Sequence, residues 1–225
     1  MVGCVGDDPA ADEALALLRE EGVNLEFCKP LEGLSTGLAL IVVSGSGENQ
    51  IVVAPGANAA FSSELLRFPE TDAVIAQLEV PMDTVFRAAS SAGHFFCLNA
   101  APARPVPAEV LEHTDLLVVN EIEARAIGHH FGEYRGLLAT TFGGAGAMLS
   151  RDGVEIARAK PPKVNVVDTT GAGDAFTAAL TLGLVAGMEP QAALERACVV
   201  GALTTTKPGA STSPRIADLD RQPGV

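Results

Sequence analysis

The chain has 225 residues, 48% of them hydrophobic, enough to bury a substantial core, and residues 1–225 are expected to form one domain. Its 15 Lys and Arg against 28 Asp and Glu leave a formal charge of −13. This excludes a binder of nucleic-acid backbones, whose affinity rests on basic side chains, but not a small phosphate ligand, which backbone N–H groups can hold.

In chain order, "MVGCVG" predicts a short strand, and Pro9 opens a helix that Gly22 stops. "TGLALIVV" and "NQIVVA" flank the turn "SGSGE", predicting a hairpin over residues 36–54. Strands and helices then alternate: strand "AVIAQLE", helix "PMDTVFRAASSAG", strand "FFCLN", short helix "PAEVLEH", strand "DLLVVN" and helix "EIEARAIG", ended by Gly128. Such alternation predicts a parallel sheet covered on both faces. "GAMLSRDGVEIARA" adds a hairpin around Asp152-Gly153, and helices follow over Ala172–Ala186 and Gln191–Thr205. In sheets of this kind ligands sit beyond the carboxyl ends of the strands. The polar residues expected there are Glu79, Asn99, Asn120 and Thr141.

Cys4, Cys28, Cys97 and Cys198 are scattered and form no C-x-x-C pair, which reads as reduced thiols. The N-terminus has no basic segment leading into an apolar core, and the uncharged Ala175–Met188 stretch is too short to span a bilayer. A cytoplasmic protein with no membrane partner is expected.

The segment "VVDTTGAGDAFTAAL", Val166 to Leu180, turns through two glycines into an apolar helix. A helix start carries unpaired N–H groups and a partial positive charge. Gly171 and Gly173 let those amides approach an anion closely. Asp174 is suited to taking a proton from a hydroxyl nucleophile, and phosphoryl transfer requires charge stabilisation beside such a base. The plainer reading is an acidic first-turn residue that complements the helix dipole.

The unbroken "DTTGAGDAF" resembles the signature of the ribokinase-like carbohydrate kinases. "GDD" (6–8), "TG" (36–37), "GENQIVVAPGAN" (47–58), "QLEVP" (77–81), "NAAPA" (99–103), "NEIEA" (120–124), "TFGGAGA" (141–147) and "KPGASTS" (207–213) are similar to further segments in that family's order. The resemblance implies an α/β fold, a three-layer sandwich with a mostly parallel central sheet and a reduced β-strand lid at about residues 35–56. It implies ATP-dependent phosphorylation of the 5-hydroxyl of D-ribose. Asp174 would be the base, and the amides of Gly171, Ala172 and Gly173 the anion hole. Asn120 would approach the ATP phosphates, and Thr141, Gly143 and Gly146 would line the nucleotide pocket. Glu123 would organise Mg²⁺ through water. Asp168, Thr170, Thr204, Gly209 and Ser213 would hold a potassium-like monovalent cation, and Glu79 would bond the sugar. A homodimer through the lid is the implied assembly.

Several alternatives stay open at this level. Asn120 and Glu121 could cap the following helix, Glu79 could be a solvated strand end, and Thr204–Thr206 a helix terminus whose hydroxyls bond the backbone. His129-His130 reads as a surface loop. "GLSTG" fits G-x-S-x-G, but Ser35 precedes a strand former rather than the helix a hydrolase elbow needs, and no Walker A lysine motif occurs. The chain departs from the family in lacking its first sugar-binding strand and a GGKGAN-type segment. It also has only twelve residues between Gly128 and Thr141, and Cys198 stands where Asn or His is usual. A sheet edge and apolar surface are therefore expected to be exposed. Two further functions stand beside ribose phosphorylation: another sugar or nucleoside kinase of the family, and a catalytically weak nucleotide-binding protein that a partner chain completes.

Overall fold

The computed structural model describes residues 1–43, 49–91 and 93–219, and the expected "SGSGE" turn, residues 44–48, lies outside them. The chain forms two compact units, one of Met1–Glu70 with Leu78–Ala88, the other of Thr71–Gln77 with Ala89 onward.

In the first unit, strand β1 (Val2–Gly6) pairs in parallel with β2 (Phe27–Leu31), and helix α1 (Pro9–Glu20) connects them. Pro9 suits the first helical position because its missing N–H would have no partner there. Asp8 caps the helix by accepting from the Ala11 amide at 3.2 Å. It also accepts from the Thr36 amide at 2.8 Å and the Thr36 hydroxyl at 2.6 Å. Sequence periodicity did not reveal β2, because Lys29 and Pro30 interrupt its apolar run. Cys4, Ala57 and Phe61 form the buried centre, packed with Val2, Leu31, Leu66 and Val80. The expected hairpin is strands β3 (Leu38–Val43) and β4 (Asn49–Ala54), antiparallel with Leu38 opposite Ala54. Leu38, Leu40 and Val52 share one face by that register and are 56%, 58% and 64% exposed, so this face is unpacked. Helix α2 (Met82–Ala89) follows Pro81.

The second unit is built on a six-stranded sheet of order β10-β9-β8-β7-β6-β5. Strands β5 (Ala73–Ala76), β6 (Phe95–Asn99), β7 (Leu116–Asn120) and β8 (Leu137–Thr141) run parallel. Strands β9 (Ala147–Arg151) and β10 (Val154–Ala159) turn back antiparallel. The hairpin between β9 and β10 turns at Asp152-Gly153, both with positive φ (51° and 76°), as a two-residue hairpin loop requires. Helices α3 (Ala108–Glu112) and α4 (Glu121–Ala126) are crossovers that advance in one direction along the sheet, which puts them on one face. Helices α5 (Ala172–Val185) and α6 (Pro190–Thr204) pack on each other and on strands β5, β6, β9 and β10. A short helix, α7 (Ile216–Leu219), ends the described chain.

Alternation along the central strands fills both faces. Cys97, Leu116 and Val118 join Phe176, Leu180, Leu194 and Ala197 in one buried cluster. Phe96, Leu98, Leu117 and Val119, of opposite parity, are equally buried. The result is the expected α/β sandwich of three layers. The parallel strands end at Ala76, Asn99, Asn120 and Thr141. The expectation that Glu79 ends a strand is corrected: β5 stops at Ala76, and the chain bends across Leu78–Val80 to reach Pro81. Among the described residues no helix is long and apolar enough to cross a membrane.

Candidate active site

The start of α5 is shaped by Gly171, which caps it in the left-handed region with φ 76°. A Cβ there would lie 2.6 Å from the Ala210 carbonyl oxygen, so both conformation and space demand glycine. The Gly171 and Gly173 amides have no hydrogen-bond acceptor among the described residues, whereas the Ala172 amide closes the turn onto the Thr169 carbonyl at 3.3 Å. Two unpaired N–H groups at the positive end of a fourteen-residue helix favour an anion. Asp174 sits in the same first turn. Its side chain keeps contact with solvent, but partial desolvation by neighbouring atoms raises its carboxyl above the ordinary aspartate value. A base with a modestly raised pKa takes a proton more readily at neutral pH.

The turn before α5 is held by Asp168. One carboxylate oxygen accepts from the Thr170 amide (2.9 Å) and hydroxyl (2.7 Å), the other from the Gly209 amide (2.9 Å). These bonds keep its carboxyl below the usual aspartate value, with the Gly209 amide contributing most. The Val167 and Asp168 amides both donate to the Thr205 carbonyl. Thr204, Thr205 and Thr206 each return their hydroxyl to a carbonyl three or four residues back, as expected of such residues at a helix terminus. The Thr204 carbonyl accepts instead from the Thr212 hydroxyl, which also reaches the Gly209 carbonyl. Of the five residues expected around a monovalent cation, Asp168, Thr170 and Gly209 are in direct contact. Thr204 joins Gly209 through Thr212, and Ser213 is exposed.

Beside the α5 turn lies a cavity of about 570 Å³. Thr141, Gly143 and Gly146 form one wall and Ala172 and Gly173 another, so three of the four predicted nucleotide residues share one space with the glycine-rich turn, whereas Asn120 is not among its lining residues. Gly146 has φ 107°, and a Cβ there would collide with the Ala159 carbonyl. The sequence reading missed the Pro161–Val164 wall, because a "KPPKV" run carries no recognisable chemistry and lines the cavity by shape. Cys198 also lines it, and burial raises its thiol to about 11, which disfavours the thiolate. A second cavity, of about 540 Å³, opens at the opposite, amino ends of the parallel strands near Phe95 and Tyr134 and contains none of the predicted site residues.

Asn120 caps α4 as part of a reciprocal pair. Its side-chain oxygen accepts from the Ile122 and Glu123 amides (both 2.9 Å), and its amide and side-chain nitrogen donate to the two Glu123 oxygens (2.7 and 2.9 Å). The partner is thus Glu123, not Glu121, as the spacing of a capping box requires. Burial raises the Glu123 carboxyl despite the Asn120 bond. Asn99, buried at the end of β6, places its side-chain nitrogen 3.5 Å from Asp174 Oδ1. Glu79 belongs to the other unit and is exposed. No group of three or more His, Cys, Asp or Glu among the described residues is arranged to hold a metal ion.

The model of the pfkB family carbohydrate kinases matches residues 1–217. The chain belongs to that family. This kinase is 32% identical to a ribokinase of Schizosaccharomyces pombe over 98% of its own length and 78% of the relative's. It is 35% identical to a ribokinase of Bacillus subtilis over 93% of its own length and 76% of the relative's. The structure of an Arabidopsis thaliana ribokinase complexed with ribose and ATP superimposes with a TM-score of 0.82 at 26% identity, over 95% of this chain and 78% of that one. The fold and the family agree: the chain is a sugar kinase, a phosphotransferase of the ribokinase-like group.

Proposed function

We propose that this kinase transfers the γ-phosphoryl group of ATP to the 5-hydroxyl of D-ribose. The observation that carries the reading is the first turn of α5, where Asp174 stands beside the unpaired amides of Gly171 and Gly173 and next to the cavity lined by Thr141, Gly143 and Gly146. Phosphoryl transfer needs positioning and charge stabilisation more than covalent chemistry. Asp174 takes the proton of the attacking hydroxyl as its oxygen bonds to the γ-phosphorus, and the bond to the ADP oxygen breaks. The Gly171 and Gly173 amides, with Ala172 between them, receive the charge that develops on the transferred group. The cavity receives the nucleotide, and the family resemblance gives Asn120, at the end of β7, the ATP phosphates and Glu79 the sugar. The likeness to ribokinases, one of them in complex with ribose and ATP, supports both substrates.

Mg²⁺ on the ATP phosphates would supply charge neutralisation. Glu123 fits a role at one remove: both its oxygens are anchored by Asn120, and the remaining lone pairs can hold a metal-bound water. The donors around Asp168, hard carboxylate, carbonyl and hydroxyl oxygens, fit a K⁺-like ion, with Thr170, Thr204, Gly209 and Ser213 as its neighbours. The unpacked Leu38, Leu40 and Val52 face supports a homodimer through the lid. A cytoplasmic enzyme follows from this reading.

The test is ADP production by the full chain with ATP, Mg²⁺ and K⁺, with D-ribose, 2-deoxyribose and a nucleoside compared as acceptors. Ribose-dependent turnover that falls by two orders of magnitude or more in Asp174→Asn is the expected result. A preference for another acceptor assigns a different sugar or nucleoside kinase. ATP binding without turnover in a folded chain replaces the reading with a nucleotide-binding protein.

A further inference from the structure

Asn99 has no part in the functional reading so far, yet it is the last residue of β6 and is only 6% exposed. Burying a primary amide is costly unless its polar atoms find partners. Asn99 lies on the same sheet face as Cys97, two residues before it, and Cys97 packs in the cluster beneath α5 and α6. That parity points the Asn99 side chain toward α5. There its nitrogen meets Asp174 Oδ1 at 3.5 Å, and this is its one side-chain hydrogen bond among the described residues. Oδ2 of Asp174 has no hydrogen-bond partner among them.

We propose that Asn99 is a positioning residue for Asp174: its amide engages Oδ1 from below the helix and turns Oδ2 toward the hydroxyl that loses its proton. At 3.5 Å the contact is long, and catalytic hydrogen bonds often tighten only in the Michaelis complex. A neutral amide suits the task. It orients the carboxylate without adding charge, whereas a lysine would suppress its basicity and a second carboxylate would hold it protonated. Among the described residues no charged side chain is hydrogen-bonded to Asp174, and on α7, whose Leu219 packs against Ala175, Asp218 accepts from the Arg215 amide. Strands β5 and β6 carry no charged residue, and Asp174 is the only one on α5. On α6, Glu195 bonds Gln191 and Arg196 reaches Met188, toward the end remote from Asp174, while the hydrogen bonds of Asp168 go to Thr170 and Gly209.

This inference rests on Asp174 acting as the base, so its test separates the two. The Asp174 carboxyl carbon is followed by NMR titration of the full chain, its signal assigned by its loss in Asp174→Asn. Asn99→Ala removes the donor, and Asn99→Leu removes it while keeping the volume. In either variant the Asp174 midpoint is expected to rise by about half a pH unit or more, since a hydrogen bond to the charged form has been lost. In turnover, kcat is expected to drop by about one order of magnitude, the acidic limb of kcat/KM to follow the NMR midpoint, and KM for ATP to stay unchanged. A midpoint that stays put or falls in the variants overturns the positioning role. Full activity in Asp174→Asn overturns the assignment of the base instead, whatever the midpoint does.

Discussion

Asp168 accepts three hydrogen bonds, and their effect on its acidity has a definite sign. Its carboxyl is held below the ordinary value in the folded chain, so the folded state binds that proton less readily than the unfolded one. The resulting stabilisation is complete above the ordinary aspartate pKa of about 3.9 and is lost as pH falls from there through the depressed folded value. Asp168→Asn is therefore expected to lower Tm at neutral pH, with the gap to the parent chain narrowing through the acid range. Thermal melts of both proteins from pH 7 downward check this, and a gap independent of pH would refute it. Asp174 has the opposite sign: its raised carboxyl costs stability at neutral pH, a penalty that disappears on acidification. The two aspartates of one signature thus have opposite signs, one lowered where it holds the turn and the other raised in the first turn of α5.

At the scale of elements, the site depends on how closely α5 approaches α6. Gly201 on α6 sits under the first turn of α5, where an added Cβ would come within 3.3 Å of the Ala172 carbonyl and 3.4 Å of Phe176 Cβ. Leu180 is fully buried in the cluster that joins both helices to the sheet, whereas Leu182 is 64% exposed. Leu180→Ala is expected to cost about 2–5 kcal/mol, and Leu182→Ala less than about 0.5 kcal/mol, both read from urea unfolding midpoints. Elements with a strong local signal were legible in the sequence. The apolar run "LLVVN" with its Asn120 cap marked β7 and the start of α4, and Asp152-Gly153 marked the β9–β10 hairpin. Strand β2 was not legible, because Lys29 and Pro30 break its apolar run and its partner β1 lies at the other end of α1. The glycine-rich turn and its aspartate were readable from resemblance and helix-start chemistry. Asp168 and Gly209, 41 residues apart, were brought together by the resemblance alone, and the Asn99–Asp174 contact was not legible, since it joins positions 75 residues apart and leaves no periodic trace.

For the molecule as a whole, the net charge of −13 sets a background of self-repulsion. The ion pairs Arg19–Asp12 and Arg158–Glu155 lie on exposed side chains and are worth little. Screening should therefore help more than it harms. Tm at pH 7 is expected to rise as NaCl goes from about 0.01 to about 0.15 M, over which the Debye length shrinks from about 30 to about 8 Å. A Tm that falls over this range would show that specific ion pairs outweigh the repulsion. Lys163 is the one lysine among the described residues that line the cavity beside α5, so on the proposed reading phosphate binding falls to backbone amides.

The clasp between Asp168 and Gly209 also bears on how the chain acquires activity. The closed segment contains the whole α5–α6 pair, so bringing its ends together carries a loop-closure cost that only the packing of those helices can offset. The helices can form within microseconds, but the turn that presents the Gly171 and Gly173 amides takes its final shape only after they have docked. On the proposed reading, recovery of phosphate binding during refolding lags behind recovery of helix content, and the turn before α5 is among the last parts of the second unit to mature.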